Sequence, residues 1–247
     1  MSKSIIIFGF HAIQAQLDSN PECLLKVLTL DNRNDKRLNT LITQLDRLGI
    51  NTQQANKHQL DKLTKNQTHQ GIAAEILLPT LPNLNDLIHH IEKLDNNSLI
   101  LILDSIQDPR NLGACLRSAN AAGVDCVVIN KDGSAPINAL VHKTSAGALN
   151  QLKIFSVTNL SRTIKALKEH NIWVVGLDGA TDQSLYQIDL TTPTAIIMGA
   201  EGSGLRSLTK KSCDQLAMIP MQGNVESLNV SVATGVALFE ASRQRHI

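Results

Sequence analysis

Aromatic side chains are scarce. Phe, Trp and Tyr make up 2% of the chain, with one tryptophan and one tyrosine. A platform that stacks unpaired bases needs several exposed rings, so that mode of nucleic-acid binding is excluded. Charge of one sign is missing too: 23 Lys and Arg offset 22 Asp and Glu, for a formal net charge of +1. No global basic field draws in a polyanion, and an RNA partner has to be met by local basic and polar groups. The four cysteines, Cys23, Cys115, Cys126 and Cys213, include no C-x-x-C pair. That argues against a zinc site or a disulfide framework and for buried free thiols in a reducing compartment. His11, His69 and His142 are scattered, with no metal-ligand spacing, and are expected to be structural or surface residues. The apolar run Ile5–Phe10 is too short for a secretory signal, and nothing approaches a membrane span. The expectation is a cytoplasmic protein with no metal and no membrane association.

What is present is a regular alternation of strand and helix patterns over 247 residues, 43% of them hydrophobic. Strands are expected at Ile5–Phe8, Leu24–Leu30, Asn51–Ala55 and Gly71–Leu77. Helices are expected from Ala12 and over Lys36–Leu48, the second with an apolar stripe ending at Gly49. These form a small α/β domain over 1–78. Pro79 and Pro82 break the chain, a short amphipathic stretch follows, and Asp95-Asn96-Asn97 ends it, so 79–97 reads as a linker. A second domain, 98–247, begins with the continuous apolar run Leu99–Leu103, as in parallel sheets covered on both faces. Further strands are expected at Cys126–Ile129, Leu152–Phe155, Ile172–Gly176, Ala195–Met198 and Leu216–Ile219. In such sheets ligands bind beyond the carboxyl ends of the strands.

Three strand-end segments stand out. Asp104–Arg117 runs from a strand through the turn Asp108-Pro109 into a helix. Asn111 and Arg117 can both reach a cleft there, or serve as a helix cap and a surface ion-pair residue. Met198-Gly199-Ala200-Glu201-Gly202-Ser203-Gly204 takes a strand into a glycine-rich loop. Its spacing is neither a dinucleotide fingerprint nor a P-loop, and Glu201 repels phosphate, so a ligand with cationic or hydroxyl groups suits it; a tight turn with a solvated Glu is the plain alternative. The third segment, 218–240, passes Pro220 into a polar loop ending at Ser227-Leu228-Asn229. A helix follows, with Val232, Val236 and Phe239 in one stripe. Taken alone it reads as an N-capped helix. Together, Asn111, Arg117, Glu201, Ser227 and Asn229 make one plausible pocket. Lys210-Lys211 and Arg243, Arg245, His246 read as solvated helix ends.

In order, Asp108-Pro109-x-Asn111-Leu112-Gly113-x-x-x-Arg117, Met198-Gly199-Ala200-Glu201-Gly202-x-Gly204 and Ile219-Pro220-Met221…Ser227-Leu228-Asn229-Val230-Ser231-Val232-Ala233 resemble the three motifs of the SPOUT superfamily, and among them the TrmH-type RNA ribose 2′-O-methyltransferases. Phe8-Gly9-Phe10-His11-Ala12-Ile13 and His69-Gln70-Gly71-Ile72 resemble the ribosomal-protein-like substrate-binding domain of that family's 23S rRNA guanosine 2′-O-methyltransferases. The resemblance implies a trefoil knot near the C-terminus, a homodimer, 23S rRNA as partner and S-adenosylmethionine as cofactor. Carried across, the cofactor contacts are Leu177, Met198, Gly199, Ile219, Met221 and Leu228. The catalytic set is Asn111, Arg117, Glu201, Ser227 and Asn229, with Arg117 the implied activator. A different RNA target, or a non-catalytic assembly factor on the same fold, are the other readings. The chain departs from the family pattern at Phe8, Arg110, Gly133 and Asn150, all outside the inferred catalytic set.

Overall fold

The computed structural model describes residues 4–31, 33, 35–77, 81–94 and 97–246. The expected breaks at Pro79 and at Asp95-Asn96 lie outside the described residues. The chain divides into two compact units, one of residues 1–80 and 137–151, the other of 81–136 and 152–247.

In the first unit the chain runs β1 (Ser4–Phe8), α1 (Phe10–Ser19), β2 (Leu24–Leu30), α2 (Lys36–Arg47), β3 (Thr52–Ala55), α3 (Lys57–Leu63) and β4 (Ile72–Leu77). The sheet order is β1-β4-β2-β3, with β4 antiparallel to both neighbours and β2 parallel to β3. α2 forms because Asp35 caps it, accepting from Leu38 N at 3.0 Å, and because Leu38, Leu41 and Leu45 recur on one face and bury there. They meet Ile7, Ile13, Val27 and Ile72 in the core. α3 has no counterpart in the sequence-based expectation. Leu60 is the one residue of the helix that is buried, so there is little apolar periodicity; the helix is specified by the capping box Asn56/Gln59.

The second unit begins with α4 (Leu84–Ile91), β5 (Leu99–Asp104), α5 (Pro109–Ala121) and β6 (Cys126–Asn130). The helices α6 (Ala139–Thr144) and α7 (Ala148–Gln151) group with the first unit. β7 (Ile154–Val157), α8 (Leu160–Glu169), β8 (Trp173–Leu177), β9 (Thr194–Gly199), α9 (Ser207–Ser212), β10 (Gln215–Ala217) and α10 (Val230–Arg245) complete the second. Its six strands are parallel, in the order β10-β8-β9-β5-β6-β7. All six residues of β5 are buried, which is why this strand reads as an unbroken apolar run. α4 packs Leu87 and Ile91 into the same core as Ile100, Val128 and Phe155. Each such buried side chain contributes about 1.5–3 kcal/mol.

Two strands differ from expectation by two residues at an end, the others by no more than one. β7 starts two residues later than Leu152, because its pairing with β6 begins at Val127↔Ile154. β10 stops at Ala217, and beyond it Met218 makes an isolated bridge to Ser184. α10 differs in its faces. Val230, Thr234, Ala237, Leu238 and Ala241 are its buried side, and the helix packs on α5. The expected apolar stripe points elsewhere: Val232 and Phe239 are each 52% exposed.

Candidate active site

Three loops at the carboxyl end of the second unit's sheet enclose a cavity of about 640 Å³. The loop after β8 supplies Leu177 and Asp178, the loop after β9 supplies Met198 to Gly204, and the segment after β10 supplies Met218, Ile219, Met221 and Glu226 to Val230. All six residues assigned to the cofactor from the resemblance, Leu177, Met198, Gly199, Ile219, Met221 and Leu228, line this one space, as do Glu201, Ser227 and Asn229.

The loop after β9 is tight by construction. Ala200 and Gly204 exchange two backbone hydrogen bonds, of 3.1 and 2.9 Å, and Gly202 and Gly204 have φ of +79° and +64°. Gly199 lies flat against the returning strand of that loop: a Cβ there would sit 2.2 Å from the Gly204 carbonyl carbon. Glycine is therefore what allows the loop to fold back.

Glu201 projects from the loop into a closed triangle of side chains. Asn111 Nδ2 donates to Glu201 Oε2 at 2.9 Å, and Asn229 Nδ2 donates to Glu201 Oε1 at 3.0 Å and to Asn111 Oδ1 at 3.1 Å. Each corner comes from a different segment. α5 is capped by Asp108, which accepts from Arg110 N at 2.7 Å, and this places Asn111 in the first turn without any cap role. Asn229 is the N-cap of α10, its Oδ1 accepting from Ser231 N at 2.9 Å and Ser231 Oγ at 2.6 Å. The residue is thus both the cap and a corner of the triangle.

Arg117 and Ser227 are not drawn into the triangle. Arg117 is exposed on α5, about 9 Å along the axis from Asn111, and has no hydrogen bond or ion pair among the described residues. Ser227 is exposed on the cavity wall.

A brace behind the site gave no signal in the sequence. Asp104, wholly buried at the end of β5, pairs with Arg206 Nε at 2.6 Å and accepts from Arg206 N at 3.2 Å. The Asn130 amide, oriented to donate to Leu103 O, accepts from Arg206 Nη2 at 2.6 Å. The glycine-rich loop is thereby pinned to the central strand at its far end.

Two expected solvated helix ends have partners instead. Lys210 pairs with Asp178 at 2.5 Å, and both line the cavity. Burial works against charge on Asp178, but the hydrogen bonds from Lys210 and from Ala180 N outweigh it and hold the carboxyl below its ordinary range. Arg245 donates to the carbonyls of Leu190, Asn97 and Thr192 at 2.8, 2.6 and 2.7 Å, which ties the end of α10 to the segments before β9 and β5. Of the four thiols, Cys115 and Cys126 are buried, and burial pushes them up to about 11 and about 12; Cys23 and Cys213 are half-buried rather than buried. Among the described residues no helix is long and apolar enough to cross a membrane, and no group of three or more His, Cys, Asp or Glu could hold a metal ion.

Comparison with known proteins matches residues 98–239 to the SpoU rRNA Methylase family and residues 6–81 to the family of RNA 2′-O ribose methyltransferase substrate-binding domains. The 23S rRNA (guanosine-2′-O-)-methyltransferase RlmB of Pectobacterium atrosepticum is 49% identical over 242 residues, covering 98% of this chain and 99% of the relative. A crystal structure of an RNA 2′-O ribose methyltransferase superposes with a TM-score of 0.82 at 27% identity, over 100% of this chain and 90% of that one. The methyltransferase AviRb from Streptomyces viridochromogenes, solved with the cofactor AdoMet, shares the fold with a TM-score of 0.82 at 22% identity, over 98% and 90% of the two chains.

Proposed function

The chain belongs to the SpoU rRNA methylase family, and from that premise we propose that it transfers a methyl group from S-adenosylmethionine to the ribose 2′-hydroxyl of a guanosine in 23S rRNA. The observation that carries this reading is the Asn111–Glu201–Asn229 triangle, three polar side chains from three separate segments closed upon each other beside a strand-end cavity. A module that only bound RNA would need no such convergence.

The cavity suits the cofactor. Its volume of about 640 Å³ lies in the ordinary range for small-molecule sites. Leu177, Met198, Ile219, Met221 and Leu228 offer an apolar slot for a planar base, and Gly199 leaves backbone open to close approach. Glu201 and Glu226 supply negative charge for a cationic ligand. S-adenosylmethionine, when bound, supplies an electrophilic methyl on a sulfonium. The chain's own residues orient the ribose and favour passage of its hydroxyl proton to a phosphate oxygen or water, since an alcohol holds that proton far above neutral pH. A guanidinium is almost never a base, so Arg117 acts as a cation: it clamps a phosphate beside the ribose and stabilises charge developing on the 2′-oxygen. Asn111, Ser227 and Asn229 fix the ribose and the loop, and Glu201 holds the two asparagines in place.

The first unit grips the RNA and the second carries the chemistry. The protein works in the cytoplasm, where rRNA is processed, as a homodimer. α10 supports the dimer, because one face is buried on α5 while Val232 and Phe239 leave an apolar stripe uncovered. Phe239→Glu is expected to weaken dimerisation about 100-fold or more, read by light scattering over a dilution series. A variant as dimeric as the parent would show that this stripe is not the interface. The trefoil knot belongs to the same proposal. The segment after β10 leaves the sheet edge, passes the ends of β8 and β9 along the cavity and delivers α10 to α5.

The direct test maps 2′-O-methyl marks on 23S rRNA and tRNA with and without the gene. Loss of one 23S guanosine mark is expected. A lost tRNA mark with unchanged 23S rRNA would overturn the substrate. Purified protein that retains RNA yet transfers no label from S-adenosylmethionine would favour the assembly-factor reading.

A further inference from the structure

The first unit contains a cluster of side chains that the chemistry above does not use. The two N-terminal segments singled out in the sequence, Phe8–Ile13 and His69–Ile72, meet in space. Gly9 N donates to Ile72 O at 3.2 Å, and Phe10 N donates to Gln70 Oε1 at 3.3 Å, which gives α1 the cap that Gly9 cannot provide. Two arginines that carried no signal in the sequence join them. The guanidinium carbons of Arg33 and Arg37 lie 4.8 and 4.7 Å from the centroid of the buried Phe10 ring. Arg33 pairs with Asp35 at 2.5 Å and donates through Nη1 to Gln70 O. Gly71 leaves the room for this: a Cβ there would sit 2.8 Å from Arg33 Nη1. Arg37 donates to His11 Nε2 at 3.4 Å and has no carboxylate partner among the described residues.

Three features make this more than a stray surface contact. Two arginines share one ring, and Asp35 answers only Arg33, so Arg37 keeps a guanidinium with no carboxylate partner among the described residues. Gln70, a non-glycine residue, is held at φ +54° to present its carbonyl and amide to the cluster, and such backbone strain gathers at binding sites. Charge is also segregated along the chain. The near-neutral whole hides a first unit with ten basic against seven acidic side chains, and a second with thirteen against fifteen. His11, Arg37 and Gln70 are all exposed and present donors on one patch.

We propose that Arg37, backed by Arg33, His11 and Gln70 on the Phe10 ring, is the contact through which the first unit holds a phosphate of the RNA backbone. It resists replacement by lysine in part, because a guanidinium lies flat on a ring while binding phosphate through a fork of donors. The proposal rests on RNA being the substrate, and it names residues for a role that the family match gives only to the domain.

The test uses the full chain and in vitro transcribed 23S rRNA, with affinity measured by filter retention across a salt series and without cofactor, so its outcome does not depend on methyl transfer. Each phosphate contact removed makes the log–log salt dependence shallower by about 0.7–0.9. Arg37→Ala is expected to show that change and to bind about tenfold more weakly at low salt, with the kinetic effect falling on KM rather than kcat and the affinity for S-adenosylmethionine unchanged. Arg37→Lys should recover the slope and part of the affinity. Lys57→Ala, which removes one charge from α3 of the same unit, should leave the slope as it is. An unchanged slope in Arg37→Ala, or an equal loss in Lys57→Ala, overturns the proposal: the first would make the cluster structural or a protein-binding patch, the second would reduce it to bulk charge. If wild type binds 23S rRNA with this signature yet methylates none of it, the functional reading fails and the contact stands.

Discussion

Arg117→Ala should lower turnover by about two to three orders of magnitude while leaving the affinity for S-adenosylmethionine within about twofold. The split follows from where the residue lies. Arg117 projects from α5 into solvent, outside the cavity wall and outside the hydrogen-bonded triangle, so truncating it removes no contact that shapes the cofactor site. It has no carboxylate partner among the described residues, so its truncation leaves no unpaired buried charge. In the proposed function it acts on the RNA, where a rigid fork of donors holds a phosphate and faces the oxygen that loses its proton. Arg117→Lys keeps the charge and loses the fork, and should fall between the two. Single-turnover methylation at saturating RNA, together with calorimetric titration of the cofactor, checks both halves. Near-normal single-turnover rates for Arg117→Ala would remove the residue from the mechanism.

The second large effect is expected at Gly199. An alanine methyl would meet the Gly204 carbonyl carbon at 2.2 Å, Leu205 N at 2.4 Å and Gly204 O at 2.5 Å, all backbone atoms with no rotamer to give way. The loop cannot simply slide. Gly204 is tied to Ala200 by a pair of hydrogen bonds on one side, and Arg206 is clasped by buried Asp104 on the other. Glu201 must then move, and with it the triangle. Gly199→Ala is expected to weaken cofactor binding by about 100-fold or more and to destabilise the unit by about 1–3 kcal/mol, a few degrees in a chain of this size. Thermal melts with and without S-adenosylmethionine read both quantities. An unchanged melting temperature and an unchanged cofactor-induced shift would mean the loop has slack that the geometry denies.

Much of the fold could be read from the chain because its two strongest signals are physical ones. Leu99–Leu103 is apolar throughout because both faces of β5 are covered, and Leu38, Leu41 and Leu45 recur at helical spacing because α2 has one buried side. Where burial is slight the reading failed: α3 buries Leu60 alone, and its capping box is two polar residues with no pattern around them. The stripe on α10 announced the helix correctly but not its buried face. Apolar spacing tells of a face that wants cover and cannot tell whether this chain or another supplies it, and here Ala237, Leu238 and Ala241 face inward while Phe239 stays outside. At the candidate site, Asn111, Glu201 and Asn229 stood out as polar residues at strand ends that converge in a parallel sheet, whereas Leu177, Ile219, Met221 and Leu228 were reached only through the family resemblance. The brace of Asp104, Arg206 and Asn130 was not legible, since nothing local links residues so far apart in sequence.

Asn229 makes helix register and site geometry a single degree of freedom. Its carbonyl oxygen starts α10 and its amide nitrogen spans to Asn111 and Glu201. The other good helix starters each lack half of that pair of roles. Aspartate would begin the helix but set a third acceptor against a carboxylate, and serine is too short to bridge. The position therefore has no neutral neighbour in side-chain space. A designer who wished to retune the pocket through it would have to re-found the helix as well, and one who wished to stabilise the helix start would be editing the pocket.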